Sequence, residues 1–225
     1  MVLTPLQKHI LKVIRTLPLS KSFYWTGGTL LSHYYLKHRL SFDIDFFTDK
    51  PFSHDLLLPF INEVKKQLPG VNISEKKISE RWEYLIETKN ESTRCEFVYY
   101  NGSKKRLVSH TFYKGIMIDS LKDLAANKTM AYFDRNEPKD LFDLWVLLSR
   151  KKYSVRQLLK MVEKKFGSKF TEFSFWSESS KSLKQLQTLV PYLIEPNEKK
   201  QKQIIKKVED FFLEGARSFL SRQLG

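Results

Sequence analysis

Apolar positions recur along this chain with two different periods, and the change from mixed periods to purely helical spacing divides it near residue 119. After Thr4–Pro5, a cap followed by a first-turn proline, Leu6, Ile10, Leu11, Val13, Ile14 and Leu17 predict an amphipathic opening helix. Residues 22–26 are aromatic and strand-like. They end at Gly27–Gly28, beyond which residues 29–38 carry Leu30, Leu31, Tyr34 and Tyr35 at helical spacing, so the order is strand, glycine turn, helix. Residues 41–47 read as a second strand and 53–68 as a helix stopped by Pro69–Gly70. Strands follow at 71–78, 82–88 and 94–100, the last two separated by the turn-like Lys89–Asn90–Glu91–Ser92, with a short one at 115–118. From there the spacing is helical, over 120–133, 138–149, 154–166, 177–189 and 197–220. This pattern predicts an α+β fold: a twisted mixed sheet with flanking helices in residues 1–118, followed by a helical region, residues 119–225, packed on that core.

Alternation singles out the second strand. In Ser41–Phe42–Asp43–Ile44–Asp45–Phe46–Phe47 a period of two sends Phe42, Ile44 and Phe46 to one face and Ser41, Asp43 and Asp45 to the other. Residues two apart on a strand lie about 6.5–7 Å apart, so both carboxylates can converge on a magnesium ion, which prefers hard oxygen ligands. An Asp-x-Asp triplet also occurs by chance on wet strand edges. A calcium loop of the EF-hand type is excluded, because Phe47 and Thr48 stand where an oxygen ligand and a glycine would be needed. Two like charges side by side repel, and a cation nearby is expected to offset them.

Gly27–Gly28 sits where a strand hands over to a helix. Its amides can receive a phosphate there, or the pair is simply a tight turn. It forms neither a dinucleotide fingerprint nor a P-loop. On the helix from Ser120, Lys128 lies on the stripe of Leu121, Leu124, Ala125, Ala131 and Tyr132, where a core residue is expected; it either snorkels to the surface or meets an anion. Asp140 and Asp143 share a helix face near an amino terminus, which favours negative charge in any case.

Charge narrows the partners. The 225 residues hold 39 Lys and Arg against 25 Asp and Glu, a net charge of +14, which attracts phosphate-bearing molecules such as nucleic acid or nucleotides. With 41% apolar residues and 14% aromatics the composition is that of a folded domain, and no run approaches the roughly 18 apolar residues of a membrane span. The amino-terminal stretch lacks the pattern of a secretory signal, and Cys95, the single cysteine, rules out an internal disulfide or a cysteine-rich zinc site, so the expected location is the cytoplasm. The histidines 9, 33, 38, 54 and 110 show no paired ligand spacing. Lys199–Lys200–Gln201–Lys202–Gln203 with Lys206–Lys207 reads as the solvated face of a helix.

Gly27–Gly28–Thr29–x–Leu31 followed by His38–Arg39–x–Ser41–x–Asp43–Ile44–Asp45–Phe46–Phe47 resembles the first motif of AbiEii/AbiGii-type nucleotidyltransferases, relatives of the polymerase-β-like superfamily. A second block, Leu124–Ala125–Ala126–Asn127–Lys128–x–x–Ala131, Arg135 and Lys139–Asp140–Leu141–Phe142–Asp143–Leu144, resembles that family's downstream helical motif. The resemblance implies a polymerase-β-like core and transfer of a nucleotidyl group from a nucleoside triphosphate, with magnesium, or manganese in its place, held by Asp43 and Asp45. It implies a third carboxylate on a later strand, for which Glu96 is the candidate and Glu87 the competitor. It makes Lys128 and Asp140 catalytic candidates contributed by the helical region, and Gly27, Gly28, Thr29, Arg39, Ser41 and Lys128 candidates for nucleotide binding. The family includes toxins of type IV toxin–antitoxin and abortive-infection systems, some acting on transfer RNA; with the basic charge this makes RNA the first choice of acceptor and an antitoxin an expected partner. A non-catalytic RNA-binding module and an antibiotic-modifying type of transferase are the alternatives.

Overall fold

The computed structural model describes residues 3–100 and 105–224; Met1 and Val2, at the head of the stretch read for a signal, lie outside the described residues. Contacts group the chain into two compact units, residues 1–104 with 108–121 and residues 105–107 with 122–225.

The first unit is built on a seven-stranded mixed sheet of order β3-β4-β5-β2-β1-β7-β6. Its elements are α1 (Pro5–Thr16), α2 (Leu19–Ser22), β1 (Tyr24–Thr26), α3 (Gly27–Leu30) continued by a π-helical segment (Leu31–Leu36), β2 (Asp43–Thr48), α4 (Leu58–Gln67), β3 (Asn72–Ile78), β4 (Arg81–Glu87), β5 (Ser92–Tyr99), β6 (Thr111–Tyr113) and β7 (Ile116–Ile118). Thr4 and Gln7 close a capping box on α1, as the Thr4–Pro5 start predicts. The expected first strand is shortened because Pro18 opens the one-turn α2, and β1 begins only at Tyr24. β6 was not expected: three residues with no clear alternation give too little pattern to read.

β2 runs antiparallel to β1 and parallel to β5. On one face of these strands Ile44, Phe46 and Phe97 are fully buried, with Phe97 5.3 Å from each of Phe23, Phe46 and Phe60, ring centre to ring centre. Interleaved apolar side chains on that face leave the opposite face of β2 to Asp43 and Asp45. Phe42, expected beside Ile44, is instead 42% exposed, because the ladder begins only at Asp43.

The second unit comprises nearly all of α5 (Leu121–Arg135) together with α6 (Pro138–Ser149), α7 (Val155–Phe166), α8 (Glu172–Leu183) and α9 (Glu198–Leu224). α8 starts five residues before the expected position because Thr171 and Ser174 form its capping box, and Leu186–Tyr192 turns as a 3-10 segment around Pro191 rather than extending it. The core holds Leu124, Tyr132, Leu144, Val162, Phe175, Val208 and Phe212. No helix of the described residues is long and apolar enough to cross a membrane.

Candidate active site

In the sheet unit the register places the expected residues side by side. Thr26 pairs with Asp45 across β1–β2, Asp43 with Arg94 and Asp45 with Glu96 across β2–β5, and Glu96 with Glu83 across β5–β4. Directly opposite residues in neighbouring strands share a face, so Asp45 and Glu96 stand next to each other, with Asp43 one pleat along. Glu87 pairs instead with Ser92 at the far end of β4 and accepts a hydrogen bond from Asn72, at 3.0 Å. It is therefore not in line with Asp45.

The glycine turn meets this row. Gly27 has φ +75°, in the left-handed region, and a Cβ built on it would lie 1.7 Å from Asp45 Oδ2. The Asp45 carboxylate rests against the first residue of α3, where backbone N–H groups lack helical acceptors. Thr29, fully buried, donates its hydroxyl hydrogen bond to the Asp43 carbonyl and ties the helix start to β2. Ser41 offers its carbonyl to Gln7 Nε2 at 2.9 Å. Arg39 is 1% exposed, and its Nη1 donates to the Leu40 carbonyl at 2.8 Å, so it braces the segment leading into β2 from inside.

A cation expected beside the acids is found at Asp43: Arg94 lies 2.9 Å from Asp43 and 3.1 Å from Glu96. Arg81 pairs with Glu96 at 3.3 Å and Glu83 at 2.8 Å. Burial pushes the Glu96 carboxyl above the ordinary carboxylate range, more than the two arginines pull it down. Among the described residues no three His, Cys, Asp or Glu side chains are gathered closely enough to hold a metal ion alone. Magnesium is commonly held by one or two protein carboxylates with substrate phosphates and waters completing its shell, and Asp43 and Asp45 fit that donor set.

Sequence reasoning missed Arg94, although its position two residues before Glu96 puts both on one face. It also missed Asp119, 2% exposed, which accepts the Thr26 hydroxyl at 2.7 Å and faces His110 at 3.5 Å. Asp119 holds the strand end just before Gly27, and a pairing across 93 residues leaves no local signal.

In the helical unit the second motif closes on itself. Lys128, 7% exposed, lies 2.9 Å from both Asp140 and Asp143, which are fully buried. Arg135 adds bonds of 2.7 and 3.0 Å to Asp140. Burial alone would raise the Asp140 carboxyl, but Lys128 and Arg135 outweigh it and hold it below its ordinary value. Of the two readings of Lys128, the anion is the one found: it meets two carboxylates.

The mixed sheet, in which a strand, glycine turn and helix feed an acid-bearing strand, is similar in fold to solved structures that include one described as a nucleotidyltransferase. The chain is similar over 97% of its length to JHP933 from Helicobacter pylori, at TM-score 0.58 and 18% identity, covering 92% of that chain. It is likewise similar over 97% to a candidate nucleotidyltransferase from H. pylori, at TM-score 0.53 and 19% identity, covering 98% of that chain. An uncharacterized protein of Aquifex aeolicus is 27% identical over 222 residues, 95% of this chain and 96% of that one. The chain belongs to the AbiEii family of nucleotidyl transferase toxins of type IV toxin–antitoxin systems, whose family model matches residues 9–218.

Proposed function

We propose that this chain is a cytoplasmic toxin enzyme that moves a nucleoside monophosphate from a nucleoside triphosphate to an RNA acceptor such as transfer RNA, with magnesium and under the control of an antitoxin. The observation that carries this reading is the contact of Asp45 with Gly27, which brings the acidic strand against a helix start able to take a phosphate.

In this scheme the Gly27 and Gly28 amides, at the start of the helical run, receive the triphosphate. Thr29, Arg39 and Ser41 hold the turn and strand in position from their buried sites. Asp43 and Asp45, with Glu96 beside them if it gives up its arginine partners, would hold magnesium, which would supply charge neutralisation for the departing pyrophosphate. An acceptor hydroxyl forms the new bond to the α-phosphorus as the bond to the β-phosphate oxygen breaks, and the proton of the hydroxyl goes to solvent or a nearby carboxylate. Lys128 and Asp140, catalytic candidates by resemblance, act in this reading through the ion cluster that orders their helices.

Incubation of the protein with magnesium, each labelled nucleoside triphosphate in turn and total RNA is expected to label RNA with at least one of them. Labelling of a small molecule without RNA, or of nothing with any of the four, would overturn the reading.

A further inference from the structure

Away from the acidic row, the first unit carries a cavity of about 270 Å³ between α1 and the β6–β7 hairpin. Its composition is lopsided. Lys8, Lys12 and Arg15 reach it from one face of α1, at i, i+4 and i+7, and Lys114 reaches it from the hairpin turn, with no carboxylate in the lining. Leu11 and Ile116 add apolar walls. His33 and Tyr113 add two rings, joined by a 3.0 Å hydrogen bond between Nε2 and Oη.

The arrangement is built rather than incidental. Lys114 and Gly115 both have positive φ, 49° and 85°, and fold the hairpin back under Arg15, whose Cγ would lie 3.3 Å from a Cβ on Gly115. Some surface lysines elsewhere pair closely with acids, for example Lys181 with Glu178 at 2.6 Å and Lys206 with Asp210 at 2.8 Å. Among the described residues Lys12, Arg15 and Lys114 make no such pair, so their charge is left for an anion. Burial, then Lys114, Lys37 and Lys8, lower the His33 pKa, as a positive field in the cavity requires.

We infer that this cavity binds a single-stranded segment of the acceptor RNA, phosphates on the cations and a base against the Tyr113 and His33 rings. Cationic grooves with aromatic faces are the usual platform for single strands, whereas a duplex cannot offer an unstacked base. The three α1 cations span about 10 Å of helix axis, enough to follow more than one phosphate. His33 also lies on the helical run that starts at Gly27, about 9 Å along its axis, so a strand held here is near the glycine turn. The inference rests on the proposal that the acceptor is RNA.

The test is binding of a labelled single-stranded RNA oligonucleotide to the full chain, followed by anisotropy over a salt series. Lys12→Gln with Arg15→Gln is expected to weaken binding about tenfold or more and to lower the slope of log affinity against log salt by about 1.4, at about 0.7 per lost contact. Lys199→Gln with Lys200→Gln, which removes the same charge from α9, is expected to bind like wild type, as is a duplex of equal length to all three proteins, weakly. Unchanged affinity in the first variant, an equal loss in the α9 control, or an equal loss for polyglutamate, which an acidic protein partner would mimic, overturns the inference and leaves the RNA-acceptor reading standing. Failure of the wild-type protein to label any RNA overturns that reading and the acceptor role of this cavity with it.

Discussion

Asp45 lies so close against Gly27 that the smallest possible side chain on the glycine would overlap its carboxylate, with a Cβ 1.7 Å from Oδ2. The glycine is thus required twice, by its φ of +75° and by its neighbour. Gly27→Ala is expected to cost about 1–2 kcal/mol of stability from the left-handed backbone alone. By displacing Asp45 it should also slow nucleotidyl transfer about a hundredfold, the effect of misplacing a reacting group by roughly 1 Å. Thermal melts and single-turnover transfer assays measure the two effects. A variant with wild-type transfer would show that this contact has no part in the reaction.

Asp45→Asn keeps the shape of the side chain and removes its charge. Transfer should fall roughly a thousandfold or more, the several kcal/mol a metal-assisted step supplies, while the melting temperature stays near that of wild type. Calorimetric titration should show weaker magnesium binding as well, and retained activity would remove the metal assignment.

Arg94 occupies the position a metal would contest at Asp43. Its side chain is 44% exposed, so Arg94→Gln should change stability by less than about 1 kcal/mol. With the competing cation gone, magnesium should bind more tightly; weaker binding in the same titration would mean that Arg94 orients Asp43 for the ion instead.

Lys128→Met leaves two buried carboxylates without their shared ammonium and is expected to destabilise the chain by about 3–5 kcal/mol in denaturant unfolding. Adding Asp140→Asn and Asp143→Asn should recover much of that loss, since no buried charge is then stranded. If the triple variant folds but does not transfer, the cluster contributes to the reaction beyond holding the helices.

Asp140 also sets a pH dependence. Its folded pKa is below the ordinary 3.8, so the folded state binds that proton less readily than the unfolded chain. Its contribution is complete above 3.8 and is lost as the pH falls from there through the folded value. The stability difference between wild type and Asp140→Asn, measured by denaturant midpoints, should therefore be constant from pH 5 to 7 and shrink below pH 3.8. A difference that instead grows on acidification would contradict the assigned direction.

Much of this was legible in one dimension. The alternation in β2 faces Asp43 and Asp45 away from Ile44 and Phe46, since a pleated strand permits nothing else once one side is buried. The strand, glycine turn and helix around Gly27 follow from spacing, as do the α5 and α6 helices that carry Lys128, Asp140 and Asp143. Local periodicity is enough for such features because each depends on residues within a few positions of one another. What only the tertiary structure decided are the partners across long loops. Glu96 rather than Glu87 stands beside Asp45 because β5 joins β2 in a particular parallel register. Arg94 neutralises Asp43 from 51 residues away, Asp119 anchors Thr26 from 93, and Arg39, a candidate for nucleotide binding, is buried in the segment leading into β2. The basic cavity was likewise invisible, since its cations come from α1 and from a hairpin about a hundred residues later. Sheet register and packing bring such residues together, and those depend on the free energy of the whole core rather than on any window of sequence.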